Sequence, residues 1–523
     1  MEALLKNGAV GTLVRYFING NLSYSRKGIK ALAAGYASSE DIAVPVDAEK
    51  EDAEKVDQNL VTWEPDDEDN PQNWPMWNKI LVTSLLSFYT FAVYVGSSLY
   101  TSSEEDVMEI FHVSFTKSAL GLALYVLGYG LGCLLFSPLS EIPAVGRNPP
   151  YAVSGFLFVI LCIPTSLVNN YPGLMVLRFL LGFMASPCLA TAGASFADIW
   201  LPAQFPFAVA MWAAVASIGP TLGPLISSFA VEKLGWHFSS WELLIISGPV
   251  YLLIILFLPE TSGPTILYYR AKRLREHTGN ANLMSEAEEK QKHLTASSLL
   301  WDALIKPWEL NIKDPAILFT TVYLGLVYGI FYSFFESLPL VYPVHYGFSA
   351  TSTSLIFIGV APAIFLAFFT HCIYLHKRVV SRMMDGTFGE LENHLIPGLI
   401  ASPLLPAGLF IFAWTSRPEV HWIVPTIGLA ITSSGIYLLA QGIFMYIPII
   451  YPKYAASIFA ANSMARSLFA FTAILVAKPM FDGIGVDGGV SLLAGLMVVC
   501  MVGIGLLFRY GKALRARSRF AGN

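Results

Sequence analysis

Three charged residues stand inside stretches that are otherwise apolar, and they limit what chemistry the chain can do. Arg178, Glu336 and Arg466 each interrupt a hydrophobic run long enough to cross a bilayer. An arginine in such a run costs roughly 2.5–3.5 kcal/mol even on a lenient insertion scale, so it needs a polar cavity or a partner. At about 1.5 Å per residue, Arg178 lies about 10 Å in from the Tyr171 end of its run; the alternative is a side chain that snorkels to the near interface. Glu336 is a carboxylate that could titrate there, with Arg178 and Arg466 as charge partners. Its place in the outer third of its run suits a structural or entrance role equally. Asn462 precedes Arg466 by four residues and shares its helical face. Tyr94, Ser98, Tyr328, Phe331, Tyr332, Phe335, Tyr437 and Gln441 supply aromatic faces and a few hydrogen-bonding groups, a lining suited to flat amphipathic molecules. Helix packing and interfacial belts account for such aromatics as well.

Several other chemistries are absent from the pattern. There is no G-x-x-x-x-G-K-[ST] loop to hold ATP, so the energy for any transport must come from a gradient or a partner. The nine histidines include no H-E-x-x-H, and His371 and His376 do not share a helical face for a metal. The five cysteines are scattered through apolar runs and form no C-x-x-C pair. Nothing resembles a nucleophile elbow or a paired-carboxylate hydrolase. The expectation is therefore no enzyme, no cofactor, no metal and no nucleic-acid partner.

The elements that must position these residues are transmembrane helices. Hydrophobic residues make up 55% of the chain and charged residues 13%, against about 25% charged in ordinary soluble domains. Apolar spans are expected near 79–100, 118–137, 151–168, 173–197, 205–229 and 240–258, then near 315–338, 352–375, 395–414, 421–447, 455–477 and 489–508. The fold class is all-α membrane protein, twelve helices in two six-helix bundles. The expected divisions are a tail (1–75), a first bundle (76–259), a central loop (260–314) with short surface helices, a second bundle (315–508) and a basic tail (509–523). Residues 1–30 have the spacing of an amphipathic helix on a membrane face, or of a tail docked on the protein or left disordered. The acidic stretch 40–69, with a net charge of −11, reads as disordered. Lys and Arg gather on one side of the spans (Arg147, the 270–275 cluster, Lys377, Arg378, Arg382 and the C-terminal arginines), which predicts cytoplasmic termini. The sequon at Asn21 should then carry no glycan.

Motifs sharpen the reading. Gly121, Gly128 and Gly132 lie on one face of the second span, where another helix can approach. Glu141, Gly146 and Arg147 occupy the short polar loop that follows. Arg178-Phe-Leu-Leu-Gly182 opens a stripe of small residues continuing through Ser186, Ala190 and Gly193 and ending at Asp198. Gly219-Pro220-Thr-Leu-Gly223-Pro224 combines close-packing glycines with prolines that favour a kink. Together with Asn70-Pro71-Gln-Asn73-Trp74-Pro75, Pro259-Glu260-Thr261 and Tyr332-Ser-Phe-Phe335-Glu336-Ser-Leu-Pro339, these strings resemble the motifs of fungal twelve-span drug:proton antiporters of the major facilitator superfamily. The resemblance covers most of residues 70–510. The loop departs from the common S-E-x-x-G-R-R-P form, with Asn148 in place of the second basic residue. That variant is similar to the fluconazole-resistance and cercosporin-facilitator subgroup.

The resemblance implies a monomeric plasma-membrane antiporter that exports amphipathic drugs or toxins against protons. It implies that Glu141, Gly146, Arg147 and Asp198 form a cytoplasmic latch, with Glu141 facing the helix end near Tyr454. Arg178 and Gly182 would belong to the proton-coupling motif B, and Gly219, Pro220, Gly223 and Pro224 to the antiporter motif C. Tyr94, Tyr328, Tyr332, Phe335, Glu336, Tyr437, Gln441, Asn462 and Arg466 would line the substrate cavity. The alternatives are a proton-coupled uptake transporter of a small metabolite and a non-transporting membrane sensor. For the latch residues, simple shaping of a tight loop remains the other reading.

Overall fold

The computed structural model describes residues 59–291, 305, 308–385, 390–451 and 455–517. The expected amphipathic helix, the sequon, most of the acidic stretch and Tyr454 lie outside them. Within them the chain is almost wholly helical, because runs this apolar must satisfy their backbone groups internally when they lie in lipid. The first six spans are α1 (Met76–Ser98), α2 (Phe115–Glu141), α3 (Asn148–Leu167), α4 (Tyr171–Ile199), α5 (Phe205–Leu234) and α6 (Phe238–Phe257). The second six are α7 (Pro315–Tyr346), α8 (Ala350–Met383), α9 (Leu391–Thr415), α10 (Ile423–Ile450), α11 (455–484) and α12 (486–517). The last two meet at Gly485, whose φ of 77° and ψ of 162° break what is otherwise one helical run.

Local chemistry explains the boundaries. The Asn170 side chain caps α4 by accepting from the Gly173 amide, with Pro172 just inside the helix. Asp314 caps α7 through the amides of Ala316 and Ile317. The Pro220 and Pro224 pair does not interrupt α5, whose helix continues through both. In the first half α2 packs on α4, α1 on α5 and α3 on α6; in the second, α7 packs on the α11–α12 run, and α10 on α8 and α9.

Two departures from expectation concern the face that holds the α2–α3 and α6–α7 connections, called here the loop face. The connection after α6 contains a helix (Gly263–Thr278) and a two-residue strand, β2 (Met284–Ser285), which pairs in parallel with β1 (Leu60–Val61). Val61, Ala271, Leu274 and Leu283 form a small apolar cluster beneath this ribbon. Residues 59–69 are thus ordered rather than disordered: Arg270 donates to Asp67 and Asp69, and its guanidinium lies 5.0 Å from the Trp63 ring centre. Composition flags the acids as unfavourable for a core, but not the buried arginine that receives them. At the other end, α12 continues through Arg509 to Arg517, so the basic residues expected in a separate tail form its last turns.

The halves meet on both faces. On the loop face, Leu134 of α2 clusters with Ala460 and Met464 of α11, while Ala210 of α5 clusters with Leu375 and Val379 of α8. On the opposite face, Ser228 and Ser354 are hydroxyl to hydroxyl at 2.7 Å, and Thr351 donates to Glu232 at 2.5 Å.

Candidate functional site

The α2–α4 contact sets the site. Cβ atoms added at Gly128 and Gly132 would run into α4 backbone or Ser186, and one at Gly182 would run into the Tyr125 carbonyl. Without side chains at these points the two backbones nearly touch, and this brings Arg178 against α1 and α2. Its guanidinium donates to the carbonyls of Gly121 (3.1 Å), Gly96 (3.2 Å) and Ser97 (3.2 Å). It also lies between the rings of Tyr100 and Tyr125, at 4.7 and 4.6 Å from their centres. The residue is buried and does not snorkel. Its direct hydrogen-bond partners are carbonyl groups, not a carboxylate.

From Arg178 a line of hydroxyls crosses into the second half. The Ser97 hydroxyl meets that of Tyr332 at 3.0 Å, Tyr332 meets Tyr129 at 3.3 Å, and Tyr129 meets Tyr328 at 2.5 Å. Arg466 lies over the Tyr328 ring at 5.4 Å and over Phe444 at 5.2 Å, and donates to the Ser463 hydroxyl. Tyr94 packs its ring 5.8 Å from that of Tyr129. Buried Arg178 in the first half and partly buried Arg466 in the second are therefore linked through tyrosines at the seam.

The remaining cavity candidates are spread around this centre. Phe335 packs on Tyr332 and stacks on Phe357 of α8 at 5.5 Å. Gln441 and Asn462 are buried, and neither amide has a hydrogen-bond partner. Tyr437 is displaced toward the loop face, where its hydroxyl donates to the Ala210 carbonyl of the first half. Ser98 is a correction: it packs where Gly223 meets α1 and bonds back to Val95, away from the tyrosine line. Glu336 is fully buried, one helical turn beyond Tyr332 toward the opposite face, and neither of its carboxylate oxygens has a hydrogen-bond partner.

Sequence reasoning passes over Tyr129 and Glu104. Tyr129 sits in the glycine-rich segment that reads as a packing face, one residue after Gly128. Glu104 lies in a short helix (Glu104–Phe111) after α1, outside the expected spans. Its side chain is buried nonetheless, and Oε1 has no hydrogen-bond partner.

The motif C glycines join α5 to α1. An added Cβ at Gly219 would lie 3.0 Å from Tyr94 Cβ, and one at Gly223 would lie 2.9 Å from the Leu99 amide. On the loop face, Arg147 Nε donates to Asp198 at 3.2 Å and Nη1 to the Ser140 hydroxyl at 2.9 Å. Burial works against the Arg147 charge, but Asp198 and Glu141 outweigh it and hold its pKa above the ordinary value. Glu141 itself is exposed and makes no hydrogen bond to them. The residue that organises this loop is Glu260, which the sequence reading treats only as part of a motif string. Its carboxylate accepts from the backbone amides of Arg147, Asn148 and Ser262 at 2.8–3.0 Å. Burial pushes the Glu260 carboxyl above its ordinary range, with those amides and Arg147 pulling the other way. Gly146, at φ 80°, takes the left-handed turn that brings the amides round, and a Cβ there would lie 2.5 Å from Glu260 Oε2.

With this geometry in view, comparisons with known proteins give a consistent result. The family model described as Major Facilitator Superfamily matches residues 86–474. The chain is 46% identical over 455 residues to the MFS-type transporter pyvG of Aspergillus violaceofuscus, covering 87% of this chain and 84% of that protein. It is 38% identical over 473 residues to Fluconazole resistance protein 1 of Saccharomyces cerevisiae, covering 89% and 86%. Among solved structures, the proton:xylose symporter XylE superposes with a TM-score of 0.59 at 11% identity, covering 84% of this chain and 96% of XylE.

Proposed function

Because the chain belongs to the major facilitator superfamily, we propose that it is a plasma-membrane exporter of amphipathic drugs or toxins, working by exchange for protons. The loop face and both termini are cytoplasmic in this reading, and one chain is sufficient. The observation that carries it is the tyrosine line between Arg178 and Arg466. It offers π-faces, hydroxyls and two fixed cations at the seam between the halves, a lining for flat molecules with a polar edge. Relatives bearing the names fluconazole resistance protein and cycloheximide resistance protein support this substrate class. Alternating access follows from the two sets of contacts between the halves, which need only part in turn. Arg147, Asp198 and Glu260 hold the loop that must move as one piece when the cytoplasmic contacts open.

The driving force is adequate. One proton crossing about 100 mV releases roughly 2.3 kcal/mol, and a one-unit pH difference adds about 1.4 kcal/mol. Together they sustain a neutral substrate at a gradient of several hundred-fold.

The test is efflux of rhodamine 6G from drug-sensitive cells expressing the wild type, Arg178→Ala or no transporter, with and without a protonophore. The expected result is protonophore-sensitive efflux by the wild type, lost in Arg178→Ala at equal surface expression. Efflux by the wild type that ignores the protonophore would sink the proton-coupled reading.

A further inference from the structure

Glu336 and Glu104 belong to opposite halves of the protein, and both are buried toward the opposite face. Glu336 is 0% exposed with both carboxylate oxygens unpartnered, and Glu104 is 7% exposed with Oε1 unpartnered. The Glu104 segment meets the second half through the start of α2: Ser118 donates to the Glu104 carbonyl at 2.6 Å, and Lys478 of α11 lies over the ring of Phe115, about one turn before Ser118. The Glu336 charge acts on Glu104 there. Leaving a carboxylate buried without a partner is expensive.

The surroundings form a graded line of charge. Lys478 of α11 pairs with Asp482 at 3.2 Å, lies 5.2 Å from the ring centre of Phe115 at the start of α2, and acts on Glu336. Its side chain is 27% exposed, so the line begins at the surface. Arg178 acts on Glu104 from the inner side, and Tyr100 is also within electrostatic reach of Glu104. The charged and titratable groups facing the pair are thus Arg178 and Tyr100 from the first half and Lys478 from the second.

We propose that Glu104 and Glu336 are the coupling carboxylates of the exchange, acting as a proton-operated gate on the outer face. The proposal rests on the proton-coupled reading above. Two carboxylates buried in one region cannot both ionise without strong repulsion, whereas one proton held by either of them removes it. Because they belong to different halves, that repulsion acts between the halves. Loss of that proton separates the outer ends and lets substrate leave; a proton arriving from outside past Lys478 draws the ends together. Once the cytoplasmic face opens, the pair faces the central cavity one turn away at Tyr332, where the proton is given up.

Two measurements test this. Spin labels at Lys117→Cys and Ile484→Cys, both exposed on the outer face, should report more of the short-distance population at pH 5.5 than at pH 8. Coupling of one pK unit makes that change about tenfold. In Glu104→Gln and Glu336→Gln the distances should stay short at both pH values, and Glu104→Asp, which keeps a carboxylate, should restore the pH response. A wild type with pH-independent distances, or a Glu104→Gln variant that keeps the response, overturns the gate. The second measurement is rhodamine 6G movement in proteoliposomes under an imposed pH gradient. A wild type that responds while Glu104→Gln responds equally refutes the pair and leaves the exporter standing. A wild type that ignores the gradient refutes the proton-coupled reading on which the gate rests, and the gate with it.

Discussion

Gly182 and Gly193 lie on the same small-residue stripe of α4, and the same substitution should act on them in opposite directions. At Gly182 an added Cβ would press on the Tyr125 carbonyl oxygen and lie 2.8 Å from its carbon and 3.0 Å from its Cα. Carbon–carbon contacts settle near 3.5–4 Å, so Gly182→Ala requires α2 and α4 to part by roughly 1 Å. The obstructing atoms are backbone, so no rotamer change relieves them, and overpacking of this kind costs about 1–3 kcal/mol. At Gly193 nothing lies within 4 Å of the added atom. Gly193→Ala therefore gains helix propensity, up to about 1 kcal/mol. Thermal unfolding of the purified protein in detergent should place Gly182→Ala several degrees below Gly193→Ala. Efflux should follow, because Tyr125 covers one face of Arg178 and moves with α2. Equal melting temperatures for the two variants, or a lower one for Gly193→Ala, would refute the claim that backbone contact at Gly182 sets the position of Arg178.

Three further outcomes are expected. Tyr129→Phe and Tyr328→Phe each leave the other hydroxyl short of a partner, at about 1–3 kcal/mol, so either should raise the half-saturating dye concentration of efflux. The double variant should be little worse than one single, since both break the same contact. Glu260→Gln replaces a carboxylate that accepts three amides with a group that has one acceptor oxygen, and should lower the melting temperature and weaken efflux together. At the Arg270 clasp, burial raises the Asp67 pKa, but the hydrogen bonds from Arg270 outweigh it and hold the group below its ordinary value of 3.8. A depressed carboxylate stabilises the fold above its unfolded value and loses that contribution as pH falls through the folded one. The clasp should therefore hold at pH 7 and loosen below about pH 3.8, read as faster hydrogen exchange at residues 59–61 after correction for intrinsic rates. Asp67→Asn should show the loosened exchange already at neutral pH.

The spans were legible because a bilayer demands long apolar runs, whereas the Asn170 and Asp314 caps and the break at Gly485 that set their ends emerge only in the fold. Gly128, Gly132 and Gly182 were also legible as places of close approach, since helical spacing alone puts small residues on one face. The site was less so. Arg178 stands out because a charge in an apolar run is conspicuous, whereas Tyr129 does not, because a tyrosine among glycines and leucines is ordinary. Glu104 was hidden for a different reason: it lies beyond the end of an apolar run, where acids are common, and only the fold turns that short helix inward. Glu260 illustrates the same limit. Two of its three partners are backbone amides more than a hundred residues away in sequence, and amides leave no trace in residue type. The stretch 59–69 misled composition, because acids that cannot build a core can still be received by a single buried arginine.

The ribbon of β1 and β2, the Arg270 clasp and the Glu260 cap all draw their partners from residues 59–285. The second half opens with its own cap at Asp314. The gene can therefore be divided between codons 292 and 304 without separating any of these tethers from its partner. Among the described residues, two polypeptides co-expressed from such a split would keep the contacts across the seam of helices, and the strength of that seam would decide whether they hold together as one transporter.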